Sequence, residues 1–267
     1  MPETKYQNEN QLTSEQANKS RLVTMCRWVV EVINGRFKRD FRLLRNIHSN
    51  RALSNMFDYF KIAAALLNSY HVVVDNNVHA RDFIDIINER INIPNRLADI
   101  VITNNYNRRR AHFEPMRAEM PQFNDFPRMT EEELTLFALG SYQLKQARSY
   151  YAEHVHPEGA FTIELARNIP LEEIREIAGR DVLLIRGRIQ SRHVASRTYY
   201  VYIAADPTLR GRLAIPQYYC SCPIGKRTIG CCSHTMSIVW YMGFARYENI
   251  LVPAEGLEDE IITLDDV

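Results

Sequence analysis

Long apolar runs are missing from this sequence of 267 residues. The longest, IAAALL at 62–67, is far too short to span a bilayer, and the first twenty residues lack the apolar core of a secretory signal. A strong net charge is also missing, because 33 basic and 32 acidic side chains leave a formal charge of +1. We therefore expect an intracellular protein with no membrane partner, in which any affinity for nucleic acid depends on local basic patches.

Apolar and charged side chains occur in ordinary proportions, 46% and 24%, which predicts a folded chain with a hydrophobic core. Helical periodicity dominates up to Gly179 and strand-like alternation follows it, so the expected fold class is α+β. Helices are predicted at 15–38, 53–70, 78–92, 95–105 and 130–154, with a short one after Pro170. The expected organisation is a disordered start at 1–14, helical segments at 15–75 and 76–178 with an irregular connection at 106–129, a hairpin and finger at 180–250, and an acidic tail at 254–267.

Two strand-like runs, VLLIRGRIQSRH and TYYVYIAAD, are predicted to form a hairpin with a turn near 194–197. Their odd positions are apolar or aromatic and are expected to face a core, whereas their even positions place arginines beside tyrosines. Such a face can hold phosphates and stack bases, or it can be a solvated surface with arginines stacked on tyrosines. The side chains concerned are Arg186, Arg188, Arg192, Tyr200 and Tyr202.

Cysteine is scarce, and four of the five cysteines fall in CSCPIGKRTIGCCSH at residues 220–234. In a reducing compartment so tight a Cys/His cluster indicates a metal site before a disulfide. Zinc takes four thiolate or imidazole ligands, and the pairs Cys220/Cys222 and Cys232/His234 place two at each end of a loop. Because four protein ligands leave no open position on the ion, we expect a structural Zn²⁺.

The CxC…CxH pattern, preceded by a hairpin and followed by an amphipathic helix, resembles the SWIM-type zinc finger over residues 198–245. The resemblance implies a ββα-like finger in which Cys220, Cys222, Cys232 and His234 bind zinc. Cys231 departs from the pattern. The CxH spacing selects Cys232 as the ligand and leaves Cys231 as a bystander.

Positive charge is concentrated in residues 19–51, which contain nine basic and two acidic side chains. A local excess of seven positive charges suits a polyanion, so nucleic acid is the partner expected here. The candidate phosphate-binding residues are Arg36, Lys38, Arg39, Arg42 and Arg45, together with Arg186 and Arg188 of the hairpin.

The same region contains RWVVEVINGRFKRDFRLLR followed by FDYFKIAAALLNSYH. Over residues 20–75 it resembles the last catalytic helix of the DDE-superfamily endonucleases, the Harbinger-like transposases. The resemblance implies that Glu31 is the third metal-binding acid of a truncated RNase H-like remnant. Two-metal catalysis needs two further aspartates, which are not identifiable before Glu31, so this carboxylate is expected to be vestigial. On the residues alone, Glu31 could equally form an i,i+4 ion pair with Arg27.

These patterns predict a zinc-binding, transposase-derived protein that is non-catalytic, binds DNA or protein, and resides in the nucleus. Two alternatives stay open. One is a subunit or incomplete part of an active DDE nuclease. The other is a protein–protein adaptor that contacts its partner through Tyr199–Tyr202 and the loop at 223–230. No pattern indicates a small-molecule substrate.

Overall fold

The computed structural model describes residues 2–4, 9–45, 53–71, 78–154, 161–192, 194 and 196–248. These residues form a mixed fold of ten α-helices and one antiparallel sheet of five strands, in the spatial order β1-β2-β3-β4-β5. The helices are α1 Ser14–Asp40, α2 Arg42–Arg45, α3 Leu53–Tyr70, α4 Ala80–Arg90, α5 Arg96–Thr103, α6 Pro121–Asp125, α7 Glu131–Ala138, α8 Ser141–His154, α9 Glu172–Ala178 and α10 Ser233–Gly243. The strands are β1 Phe113–Pro115, β2 Phe161–Ala166, β3 Leu183–Gln190, β4 Thr198–Ala205 and β5 Gln217–Cys220. None of these helices is both long and apolar enough to cross a membrane.

Helix α1 begins with a capping box, in which the Gln16 N–H donates to Thr13 Oγ1 at 3.2 Å and the Thr13 N–H donates to Gln16 Oε1 at 2.9 Å. The helix predicted at 15–38 lies within it, and Gly35 does not interrupt it. Its N-terminal half packs on the body of the protein, where the Arg21 guanidinium donates to two backbone carbonyls after α7. Its C-terminal half packs against α3 in a small separate apolar cluster.

The sheet is covered by helices on both faces. Strands β3 and β4 pair in antiparallel register, with Arg186 opposite Tyr202 and Arg188 opposite Tyr200. The odd positions face a core shared with α7, α8 and α10, as predicted. The even positions face a second core shared with α5, α9 and β1, which buries Arg186 and Tyr202 completely. The expectation of an exposed arginine–tyrosine face is therefore wrong for these two residues, because the sequence alternation does not reveal the second helical layer.

Helix α10 packs closely against the sheet at Gly187 of β3, because glycine has no side chain. A Cβ atom at Gly187 would overlap the Cδ1 atom of Ile238. The absence of a side chain at this position lets α10 lie close to the strands that precede the cysteine-rich stretch. Trp240, in the same helix, is fully buried in that core.

Three sequence expectations differ from the structure. The helix predicted at 130–154 is two helices, because Leu139 adopts a left-handed conformation with φ 55° that ends α7. Strands β1 and β2 were not predicted, and β1 lies within the connection predicted to be irregular. Residues 9–13 are not disordered, since Leu12 is 3% exposed and its N–H donates to the Pro223 carbonyl at 2.9 Å. The acidic tail at 254–267 lies outside the described residues.

Candidate metal centre

Four side chains converge where β5 ends and α10 begins. The ligand atoms of Cys220, Cys222, Cys232 and His234 all lie within 4.8 Å of one another. The three cysteines are buried, with exposures of 0%, 2% and 3%. No other group of three or more Cys, His, Asp or Glu residues among the described ones is arranged to hold a metal ion. The donor set of three sulfurs and one imidazole is the set that zinc prefers in closed structural sites.

A tight turn after β5 brings the first pair of ligands together. The Cys220 N–H donates to the Gly225 carbonyl at 3.1 Å, and the Gly225 N–H donates to the Cys222 carbonyl at 2.9 Å. A Cβ atom at position 225 would overlap the Cys220 carbonyl oxygen. Only glycine therefore fits this turn, which places both sulfurs on the same side of the chain.

Backbone N–H groups point at two of the sulfurs. The Cys222 N–H donates to Cys220 Sγ at 3.4 Å. Cys232 is the N-cap of α10, and its sulfur accepts from the Thr235 N–H at 3.4 Å. Hydrogen bonds of this kind and the positive end of the helix dipole both stabilise thiolate charge.

The orientation of His234 directs one ring nitrogen at the cluster. Its Nδ1 atom lies 3.8 Å from Cys220 Sγ, while Nε2 lies 3.0 Å from the Tyr150 hydroxyl. The Arg192 N–H also donates to that hydroxyl at 3.0 Å, which fixes the position of the tyrosine. When a metal ion is bound, we assign the ring proton to Nε2, so that Nδ1 presents its lone pair to the ion, as in other sites where a second hydrogen bond selects the tautomer.

The three sulfurs ionise unequally. Burial, followed by hydrogen bonds with Cys222 and Cys232, raises the pKa of the Cys220 thiol well above its ordinary value. For Cys222 the hydrogen bond with Cys220 lowers the pKa, but a hydrogen bond with Cys232 and burial outweigh it and raise the pKa overall. For Cys232 burial opposes ionisation, yet hydrogen bonds from Cys220, Cys222 and His234 bring its pKa well below the ordinary value. The arrangement therefore favours one thiolate beside two thiols until a cation displaces their protons.

Two buried arginines lie near one another beside the loop between the ligand pairs. Arg21 and Arg227 are 8% and 6% exposed, and neither forms an ion pair with a carboxylate in the described part of the chain. Burial and the nearby charge of Arg227 lower the pKa of Arg21 to about 10. Two buried cations near one another are costly. Their guanidinium groups donate to backbone carbonyls, those of Ala138 and Leu139 for Arg21 and those of Ile224 and Cys231 for Arg227.

Cys231 is not part of the group of four. Its sulfur lies 3.7 Å from Met236 Sδ in the core, and burial raises the pKa of its thiol far above the ordinary value. The Arg227 guanidinium donates to the Cys231 carbonyl at 3.5 Å. The structure therefore brings together the four residues that the spacing selected and leaves the adjacent cysteine in the apolar core.

The first ligand pair and the loop that follows it, residues 220–231, are held by segments that are distant in sequence. Gln11 Nε2 donates to the carbonyls of Cys220 and Cys222 at 2.8 and 2.7 Å, and the Tyr219 hydroxyl donates to Gln11 Oε1 at 2.8 Å. Asn18 of α1 donates to Thr228 Oγ1 at 2.8 Å and accepts from the Thr228 N–H at 2.9 Å. The sequence interpretation missed these residues, because a polar N-terminal segment carries no local signal of a contact about 210 positions away.

The predicted phosphate-binding residues fall into two groups. Arg36, Lys38, Arg39, Arg42 and Arg45 lie on the C-terminal half of α1 and on α2, and all except the half-buried Arg36 are exposed. Some of this charge is used internally, since Arg39 Nε lies 2.7 Å from Asp40 Oδ1. Hydrogen bonds from Arg39 and His71 lower the pKa of Asp40 to about 2. Glu31 belongs to α1, but its side chain lies outside what the structure describes.

The two hairpin arginines differ from each other. Arg186 is 1% exposed, and its Nε lies 2.6 Å from Glu164 Oε2. Its Nη1 donates to the Tyr106 carbonyl at 3.0 Å, and the guanidinium lies 3.7 Å from the centre of the Phe113 ring. Its hydrogen bonds are thus satisfied inside the protein and it is not available to a phosphate. Arg188 remains one-third exposed, 3.7 Å from Glu164 Oε1.

No protein-family model, curated protein or solved structure matches this chain. The resemblances to a SWIM-type finger and to a DDE endonuclease helix therefore depend on their motifs alone.

Proposed function

We propose that Cys220, Cys222, Cys232 and His234 bind a structural zinc ion, in a SWIM-type finger that organises a non-catalytic nucleic-acid-binding protein. The observation that supports zinc is the convergence of three buried sulfurs and one imidazole nitrogen within 4.8 Å. Four protein ligands leave no position for a substrate or a reactive water, which favours a structural role.

The zinc site is tested by metal analysis of single-cysteine variants. Wild-type protein is expected to contain about one zinc per chain after dialysis against a weak chelator, as a four-ligand site predicts. Cys222→Ser should lose that zinc, whereas the matched control Cys231→Ser should retain it. Equal zinc content in both variants, or zinc loss only in Cys231→Ser, would contradict the ligand assignment.

The exposed bases of α1 and α2 support nucleic acid as the partner. Lys38 and Arg42 are exposed on this surface, and neither forms an ion pair within the described residues. Removing a base that contacts a phosphate lowers the slope of log affinity against log salt by about 0.9 for duplex DNA. We expect the Lys38→Ala/Arg42→Ala double variant to bind more weakly and with a smaller salt slope. Arg180→Ala/Arg210→Ala, which removes two exposed bases elsewhere, is the control. An absence of binding at low ionic strength would reject the function.

We propose further that the α1–α3 region descends from a transposase and that Glu31 is vestigial, on the strength of the motif alone. Nicking of plasmid DNA with Mg²⁺ or Mn²⁺ that disappears in Glu31→Ala would instead support the alternative of a DDE nuclease subunit.

Exposed apolar side chains on α3 favour a second candidate function, protein interaction. Phe57, Ile62 and Tyr70 are 74%, 58% and 57% exposed. Several large apolar side chains exposed on one helix favour an interface. Sedimentation velocity tests a second copy of this chain as the partner. Concentration-dependent association that Phe57→Ser/Ile62→Ser removes would support it, and a monomer at all concentrations would exclude that partner.

A further inference from the structure

We propose that a groove beside the zinc centre binds unpaired nucleotides of a single-stranded nucleic acid; this inference rests on the proposed function and names its binding site. The groove has a volume of about 510 Å³, within the range of sites that enclose a small ligand or part of a chain. Its walls are the N-terminal segment 9–11, the end of α5 with the loop after it, the start of β4 and the loop between the zinc ligands.

The aromatic surface of the groove is formed by Tyr200, which belongs to the arginine–tyrosine face of the hairpin and lines the groove. The second helical layer covers Arg186 and Tyr202. Tyr200, two residues before Tyr202 in β4, is only half-buried. Its backbone is held against the zinc turn, since its N–H donates to Ser221 Oγ at 2.8 Å and its carbonyl accepts from the Ser221 N–H at 2.8 Å. A tyrosine with a fixed backbone and a partly exposed ring, whose centre lies 5.8 Å from the Arg186 guanidinium, offers its exposed part as a stacking surface for a base.

Two positively charged side chains, Arg197 and Lys226, belong to the walls of the groove. Arg197 is exposed and lies over the Tyr199 ring, 5.3 Å from its centre. Lys226 belongs to the loop between the zinc ligands, and Asn95 Nδ2 donates to its carbonyl at 3.4 Å. Neither cation forms an ion pair with a carboxylate among the described residues, so both can approach a phosphate.

Polar groups in the walls match the edges of bases. The Tyr202 hydroxyl donates to Asn107 Oδ1 at 3.0 Å, which orients the amide and leaves its NH₂ group as a donor at the groove. A concave site takes a strand whose bases are unpaired, whereas duplex recognition uses a protruding helix or ribbon that enters a groove of the nucleic acid.

The groove depends on the metal centre for its shape. Ser221 lies between the ligands Cys220 and Cys222, and Lys226 lies between the two ligand pairs. Zinc binding would thereby position both the backbone that holds Tyr200 and one of the two cations. Loss of zinc is therefore expected to weaken the binding of nucleic acid in the groove.

Binding of a labelled twelve-nucleotide single strand, in DNA and RNA versions, to the zinc-loaded full chain tests the inference, with the corresponding duplex as competitor. We expect the single strand to bind more tightly than the duplex. Tyr200→Val should weaken binding about tenfold or more, while Tyr200→Phe, which keeps the ring, should not. Lys226→Ala and Arg197→Ala should each lower the salt slope by about 0.7, and the control Arg210→Ala should leave it unchanged. Zinc content and urea unfolding confirm that each variant is folded.

The outcomes separate this inference from the proposed function. Binding that survives all the groove variants but is lost in Lys38→Ala/Arg42→Ala would reject the groove and keep the nucleic-acid function. A preference for duplex would also reject the groove. No binding of either form at low ionic strength would reject both. A protein competitor that displaces no strand supports the inference, whereas one bound through Tyr200 in place of nucleic acid overturns it.

Discussion

Tyr150 determines how His234 meets the three sulfurs, because its hydroxyl accepts from Nε2 on the side of the ring away from the cluster. Tyr150→Phe removes that acceptor while keeping the ring in the core. We expect a decrease of about ten- to a hundredfold in zinc affinity, the usual effect of losing a hydrogen bond to a metal-binding histidine. Competition with a chromophoric chelator measures the affinity. Tyr142→Phe, an exposed position on the same helix, is the matched control.

The unequal ionisation of the cysteines predicts how many protons zinc displaces. The pKa values of Cys220 and Cys222 are raised and that of Cys232 is lowered, so metal-free protein at neutral pH holds protons on the first two thiols. Zinc binding should then release about two protons, and affinity should fall by roughly a hundredfold for each unit that the pH is lowered. Calorimetry in buffers of different ionisation enthalpy counts the protons. Release of about three would mean that a third ligand also gives up a proton when zinc binds.

The sequence was sufficient to identify the four candidate ligands, because they lie within fifteen residues and their spacing is itself the signal. It was not sufficient to identify Gln11, Asn18 or Tyr150, which hydrogen-bond to the ligands or to the loop between them. Those side chains reach the centre only through the tertiary fold, and nothing in their own neighbourhood indicates it. Arg186 shows a different error. Strand alternation placed its side chain on the correct face of the hairpin, but it did not predict the helical layer that covers this face.

At the scale of elements, the close contact of α10 with β3 depends on Gly187. Gly187→Ala should destabilise the protein by about 1–3 kcal/mol, since the new methyl group overlaps Ile238 Cδ1 in a packed core. Ile238→Val removes that atom, and alone it should cost about 0.5–1.5 kcal/mol. In the double variant the two costs should partly cancel. Urea unfolding at saturating zinc measures all four proteins, and strictly additive effects would show that the overlap is relieved elsewhere.

Elements with strong local signals were predictable, and those defined by their partners were not. Thr130 and Glu133 indicate the start of α7 by a capping box that the structure contains, whereas the capping box at Thr13 was not predicted, although the helix that it begins was expected from residue 15. Strand β2, FTIELA, alternates apolar and polar side chains over only five positions, and this short signal was not used; its pairing with β3 identifies it in the structure. The break between α7 and α8 lies at a leucine with positive φ, a conformation that residue type alone does not predict.

For the whole molecule, the metal centre is the point where the N-terminal segment, α1 and the C-terminal part meet. Removing zinc with a strong chelator should therefore increase hydrogen exchange in residues 9–13 and 220–234 together. The reason is that Gln11 binds the carbonyls of Cys220 and Cys222, while Asn18 binds Thr228 in the loop that follows. Exchange in α3, which packs in a separate cluster, should change little. Mass spectrometry of exchanged peptides measures both regions. Protection that persists in residues 9–13 after zinc removal would show that this segment does not depend on the metal.

The hydrogen bonds that Gln11 and Asn18 form with residues 220–228 also set an order of events during biosynthesis. Their partners are separated by about 210 positions, so a nascent chain emerges from the ribosome with α1 long before the loop that it contacts. Contacts of such sequence separation form late and expose their surfaces in the interval. Synthesis in zinc-starved cells should consequently yield chains whose first helix stays undocked, which makes metal supply at the moment of translation a determinant of how much protein survives quality control.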